Sequence, residues 1–178
     1  KPVTSSRKVN LFIIDENNFP LEPQLRRLAH KNGLWHRTTG IWVINDKLQI
    51  LCQKRSLLKD MKPGFWEAFF GGHLTPNQEY IDNAVKELNE ELGVSISEQD
   101  LIPYKVFKSD KPTHREFQQV FACKINGDID SFKFEKEEVY QIKWIDIEDV
   151  REILLVKKSP DWVQKQWDRE VLNWLSIL

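Results

Sequence analysis

Gly71–Val94 reads GGHLTPNQEYIDNAVKELNEELGV, and the organisation of the chain can be worked outward from it. Ile81, Ala84, Val85, Leu88 and Leu92 recur at helical spacing and Gly93 ends the run, which predicts an amphipathic helix over Glu79–Leu92. Thr75-Pro76-Asn77-Gln78 just upstream predicts a capping box with proline at the first helical position. On the polar side, Glu87, Glu90 and Glu91 stand three and four residues apart and project together. Like charges so placed destabilise a helix by a few tenths of a kcal/mol per pair. A hard divalent cation reverses that penalty, because it prefers several carboxylate oxygens at close range. The adjacent Gly71 and Gly72 let backbone carbonyls approach the same point. An acidic helix face alone is usually only a solvated surface; here the surrounding pattern decides otherwise.

Upstream, Val9–Ile14 reads as a strand entering the turn-prone Asp15–Pro20, and Leu21–His30 as one or two helical turns. Thr38–Ile44 and Leu48–Cys52 predict a hairpin across Asn45–Lys47. Ser56–Gly64 is a loop of mixed charge, and Trp66–Phe70 a short buried strand running into Gly71-Gly72. Downstream, Tyr104–Lys108, Glu116–Ile125 and Val139–Trp144 read as strands. Ile147–Leu155 and Pro160–Leu178 read as helices, with Trp162, Trp167, Val171 and Trp174 packing one face against a sheet. Strands alternating with a few helices predict an α/β (α+β) sandwich.

The chain has 178 residues, a length suited to one domain with one core, and no repeat or linker divides it. Its 26 Lys plus Arg against 27 Asp plus Glu leave a net charge of −1, which argues against wholesale nucleic-acid or anionic-membrane binding. Cys52 and Cys123 are too few for a disulfide framework or a cysteine zinc cluster and read as buried thiols. There is no membrane-spanning apolar run and no signal-peptide pattern over Lys1–Asn10, so a cytoplasmic location is expected. The chain opens at Lys1 with its methionine at Met61, so loss or processing of an original N-terminus is expected.

The segment resembles the Nudix box, G-x5-E-x7-R-E-U-x-E-E-x-G-U, in which U is a bulky aliphatic residue. Gly72 takes the opening glycine, and Glu87-Leu88-Asn89-Glu90-Glu91-Leu92-Gly93-Val94 match the last eight positions in register. Gln78 stands where the family has glutamate, and Lys86 where it has arginine. Lys86 keeps the charge but loses the planar fork, and Gln78 is expected to weaken the metal site. The resemblance implies a Nudix α/β/α sandwich with a mixed β-sheet as a single domain over 1–178: an N-terminal strand and loop (1–35), a core (36–146) and C-terminal helices (147–178). It implies Mg²⁺, with Mn²⁺ as an alternative, held by Glu87, Glu90, Glu91 and the Gly72 carbonyl. Glu87 or Glu90 would orient or deprotonate the attacking water.

Beyond the box, Leu34-Trp35-His36-Arg37, Trp42-Val43-Ile44-Asn45, Gln53-Lys54-Arg55 and Lys59…Pro63-Gly64-Phe65-Trp66 resemble the Nudix branch related to isopentenyl-diphosphate isomerase. That likeness implies that Arg55 and Lys59 grip a diphosphate. It further implies that His36, His73 and Glu116, with His30, line the site or hold a second divalent cation. The isomerase places an acid/base cysteine just before its Gly-His, where this chain has Gly71. The expected activity is therefore metal-dependent hydrolysis of a phosphoanhydride bond in a small nucleoside-diphosphate-linked or other organic diphosphate. An isomerase-like enzyme and a non-catalytic diphosphate-binding module stay open as alternatives. The implied partner is the small-molecule diphosphate, with no nucleic acid or membrane, and with a homodimer left open.

Overall fold

A computed structural model describes residues 10–178, so Val9 and most of the Lys1–Asn10 segment, like the first part of the 1–35 region, lie outside the described residues. A small sheet pairs β1 (Asn10–Leu11) with β2 (Gln24–Leu25), followed by helix α1 (Arg26–Lys31). The main sheet holds β3 (His36–Ile44), β4 (Gln49–Arg55), β5 (Trp66–Glu67), β6 (Leu101–Lys111), β7 (His114–Lys124) and β8 (Val139–Asp146). Its order is β5-β4-β3-β7-β6 with β8 on the other side of β4. β3 and β7 run parallel from His36↔Glu116 to Ile44↔Lys124, whereas the other pairs are antiparallel, so the sheet is mixed.

One irregularity builds the site. β3 and β4 pair only at Ile44↔Ile50 and then separate, and the chain from Trp66 to Leu74 enters the gap. It pairs with β4 at Glu67 and Trp66, then crosses to β3, where Ile41 exchanges backbone hydrogen bonds with Phe70 at 2.6 and 2.9 Å. Thr39 N–H donates to the Gly72 carbonyl at 3.0 Å and Leu74 N–H to the Arg37 carbonyl at 3.0 Å.

Strand alternation divides the core into two layers. Ile41, Val43, Leu51 and Phe70 meet Ala84, Leu88 and Leu92 of helix α2 (Tyr80–Leu92) on one face. Trp42, Ile44, Cys52 and Val120 meet helices α3 (Ile147–Arg151) and α4 (Asp168–Leu175) through Val150, Val171, Leu172 and Leu175 on the other. Helices thus cover both faces of a mixed sheet, as expected. Cys52 and Cys123 are both buried and free. Among the described residues no helix is long and apolar enough to cross a membrane.

Two helix readings are corrected. α2 starts at Tyr80 behind Glu79, and its capping box joins Glu79 to Asp82, whose Oδ2 accepts from Glu79 N–H at 3.0 Å. Thr75–Gln78 forms its own turn, because Asn77 adopts φ 69, a left-handed conformation that a right-handed helix excludes. The helix expected over Pro160–Leu178 is confined to α4. Ahead of it, Trp66 N–H donates to the Asp161 carbonyl at 2.9 Å and Val163 N–H to the Trp66 carbonyl at 2.8 Å. Those bonds hold the segment extended along β5, and Trp162 stacks on Trp66 at 5.6 Å instead of joining a helix face. The Ile147–Leu155 helix is present as α3 passing into a π turn at Glu152–Val156.

Candidate active site

α2 carries three glutamates toward the inserted segment, and two of them reach it. Glu91 Oε2 accepts from Gly71 N–H at 3.1 Å. Glu87 lies so close to Gly72 that a β-carbon there would sit 2.7 Å from its Cδ, so a side chain at 72 would displace the carboxylate. Both side chains are half-buried and Glu90 is exposed. None of the three forms an ion pair among the described residues. Burial, and then the charge of Glu90, pushes the Glu87 carboxyl up to about 7. Burial and then Glu87 hold the Glu91 carboxyl well above the usual carboxylate range, with Lys59 opposing. Two carboxylates that resist ionising together, with no cationic side chain paired to them, form a donor set that fits a hard divalent cation.

The two departures from the box take separate places. Lys86 is exposed and its charge favours the ionised form of Glu87. Gln78 faces its own turn: its Oε1 accepts from Thr75 N–H at 2.8 Å and from Asn83 Nδ2 at 3.2 Å. Asn83 is buried and accepts from Thr39 Oγ1 at 2.6 Å, which ties the helix to β3. The expectation that Gln78 sets the charge at the metal rim therefore gives way to a structural role.

A cavity of about 350 Å³ reaches the box at Gly71 and Gly72 and extends over the other face of β3 to the β6–β7 turn. The box glutamates are not in its wall, but Arg55 and Glu67 are. Arg55 is held by Glu67 Oε1 at 2.8 Å and the Met61 carbonyl at 3.0 Å. Lys59 instead pairs with Glu138 and lies outside the cavity wall. Glu67 and Glu138 were missed from sequence. Glu67 left one signal, a lone charge inside the apolar run Phe65–Phe70; it is buried, and its charge raises Glu91 further.

The histidines converge. His30, His36 and His73 each offer a ring nitrogen, all within 4.8 Å of one another. His30 Nε2 and His73 Nε2 lie 3.2 Å apart, so one donates and the other accepts. His36 Nδ1–H donates to the Leu34 carbonyl at 2.9 Å, leaving a buried Nε2 with no partner among the described residues. Burial lowers all three; with His36 as the next cause, His30 falls to about 4 and His73 well below the usual range. Neutral imidazoles with a bare nitrogen aimed inward are chemically suited to a borderline divalent metal.

Glu116 is engaged elsewhere. Its Oε1 accepts from Lys165 Nζ at 2.7 Å and lies 3.1 Å from His114 Nε2. Burial opposes its ionisation, but Lys165 and His114 outweigh that and hold the carboxyl well below the usual range. Lys165 comes from the non-helical stretch between Val163 and α4, inside the Pro160–Leu178 helix expected from sequence. At the isomerase's cysteine position, Gly71 has φ 149, and a β-carbon would fall 2.0 Å from the Thr39 carbonyl oxygen.

The NUDIX domain family model matches residues 34–175. An uncharacterised Nudix hydrolase of Clostridium acetobutylicum is 30% identical over 151 residues, covering 81% of this chain and 73% of that protein. Isopentenyl-diphosphate Delta-isomerase 1 of Photorhabdus laumondii is 26% identical over 162 residues, covering 89% and 92%. Among solved structures, DR0079 of Deinococcus radiodurans superposes with a TM-score of 0.73 at 19% identity, over 93% of this chain and 98% of that one.

Proposed function

The chain belongs to the Nudix family, in the branch shared with isopentenyl-diphosphate isomerases, and as a Nudix hydrolase we propose that it cleaves a phosphoanhydride bond in a small nucleoside-diphosphate-linked or other organic diphosphate. The observation that carries this reading is the pair Glu87 and Glu91, converging on Gly71-Gly72 with no ion pair among the described residues. Glu87, Glu90, Glu91 and the Gly72 carbonyl would hold Mg²⁺, with Mn²⁺ able to replace it. When bound, the cation neutralises the diphosphate and makes a bound water more acidic. Glu87 or Glu90 would take the proton from the attacking water. Arg55, steadied by Glu67, and Lys59 orient the diphosphate.

The bare Nε2 of buried His36 supports a second divalent cation at His30, His36 and His73. Glu116 contributes only if Lys165 and His114 release it. An isomerase reading is disfavoured by the backbone at Gly71, which leaves no room for a cysteine β-carbon.

Phosphate release from a panel of nucleotide sugars, dinucleotides, coenzymes and isoprenoid diphosphates, with and without Mg²⁺, tests the proposal. Metal-dependent turnover of at least one class is expected, with no interconversion of isopentenyl-diphosphate isomers. Binding without turnover of any class would leave a ligand-binding module in its place.

A further inference from the structure

The wall of the cavity carries more positive than negative charge. It includes Arg26, Arg55, Lys62, Lys111 and Lys165 against two carboxylates, Glu67 and Glu116. Both carboxylates are already matched, by Arg55 and Lys165 at 2.8 and 2.7 Å, and Arg26 pairs with Asp60 at 2.7 Å. Lys62 and Lys111 have no ion pair among the described residues. We propose that Lys62 and Lys111, with Lys165 behind them, form a second anion subsite that selects diphosphates bearing a separate phosphomonoester. The inference rests on the hydrolase reading for its reaction, but not for its binding chemistry.

Three features support it. The first is position: Lys111 sits at the end of β6 by the β6–β7 turn, whereas Gly71 and Gly72 mark the box end of the same cavity. Lys62 feels Arg55 and Glu67 as well as Lys111 and Lys165, so a ligand running from Gly71-Gly72 toward Lys111 passes Lys62 on the way. The second is the lining. Phe69, Val163 and Trp167 supply apolar wall beside the cations, while Lys62 and Lys111 are themselves exposed and can meet a ligand arriving from solvent. Burial lowers the Lys62 ammonium below its ordinary range, and the charges of Lys165, Lys111 and Arg55 add to the shift, so these groups feel one another.

The third is backbone conformation. Lys62 has φ 45, a left-handed geometry that glycine or asparagine adopts at lower cost. Its side chain lines the cavity and is solvent-exposed, so a ligand entering from solvent can reach it. A phosphomonoester dianion relieves more of the lysine repulsion than a single negative charge does.

The test uses full-length protein, Mg²⁺ and non-hydrolysable alkyl methylenebisphosphonates in a series of chain lengths. Each chain ends in a phosphate or, as its counterpart, a hydroxyl, and affinities are read by titration calorimetry. At least one phosphate member should bind wild type about tenfold or more tighter than its counterpart, and that ratio should fall to within about threefold in Lys62→Met and in Lys111→Met. Thermal melts check that both variants are folded. Equal wild-type affinity across every matched pair, or no binding by any member, overturns the subsite; so does a ratio that survives both substitutions. If the ratio behaves as expected while the corresponding diphosphates are not hydrolysed, the subsite stands and the hydrolase reading fails.

Discussion

Glu87→Gln separates charge from shape at the centre of the site. In the fold the carboxyl ionises only near pH 7 instead of the ordinary 4.5, so the folded state disfavours its charged form. Stability from the protonated carboxyl is complete below about 4.5 and is lost as pH rises through about 7. Carried to pH 8, that difference corresponds to about 3 kcal/mol, of which roughly 1–3 is expected in practice because Glu87 and Glu91 share the repulsion. For a chain of this size each kcal/mol moves Tm by about 2–4 °C. Without metal at pH 8, the Glu87→Gln protein should therefore melt roughly 3–10 °C above wild type, and the two curves should converge near pH 4. Added Mg²⁺ should narrow the gap. Wild type gains about 2.7 kcal/mol when the ion is at a hundred times its Kd, and the variant gains less. Hydrolysis by the variant should fall by roughly 10²–10⁴-fold. Scanning calorimetry at several pH values, with EDTA and with Mg²⁺, reads all of this except turnover. A variant no more stable than wild type at pH 8 without metal, and equally stabilised by Mg²⁺, would show that Glu87 is only part of a solvated face.

Three further outcomes are expected. Gly71→Cys should lose several kcal/mol of stability and gain no isomerase activity, because its β-carbon meets the Thr39 carbonyl at 2.0 Å; denaturant unfolding and an isomerisation assay check it. Gln78→Glu should leave Mg²⁺ affinity within about twofold by calorimetry, since residue 78 faces the Thr75 turn, and a large tightening would reverse that placement. Co²⁺ added to metal-free protein should give a visible d–d absorption that disappears in His36→Ala and His73→Ala, and its absence in wild type would remove the second cation site.

The fold was legible because its signals are periodic. The apolar face of α2 and the alternation of Ile41-Trp42-Val43-Ile44 each name the layer they pack against. The spacing of Glu87 and Glu91 likewise announced a cluster before any contact was known. What escaped was non-local or conformational. Asn77 at φ 69 moved the helix start beyond Pro76, although the local pattern suited an earlier cap. Tryptophans at helical spacing suggested a long last helix, but the open edge of β5 claimed the Asp161–Val163 backbone first. Lys165 reaches Glu116 only because of that pairing. No local pattern connects those two residues, and the same holds for Lys62 and Lys111.

The separation of β3 from β4, with the Gly71-Gly72 segment inserted between them, also implies an order of events during folding. The bond from Gly71 to Glu91 closes a loop of 20 residues, short enough to form soon after α2 does. The β3–β7 pairing instead joins residues such as Thr38 and Gln118, which lie 80 apart, and until it registers there is no floor for the cavity. Parallel pairing at that separation is slow, because loop closure precedes the contacts that reward it. A refolding chain should thus protect the amides of Gly71 and α2 from exchange before those that join β3 to β7. For that interval it would carry an assembled acidic knuckle with nothing yet to act upon.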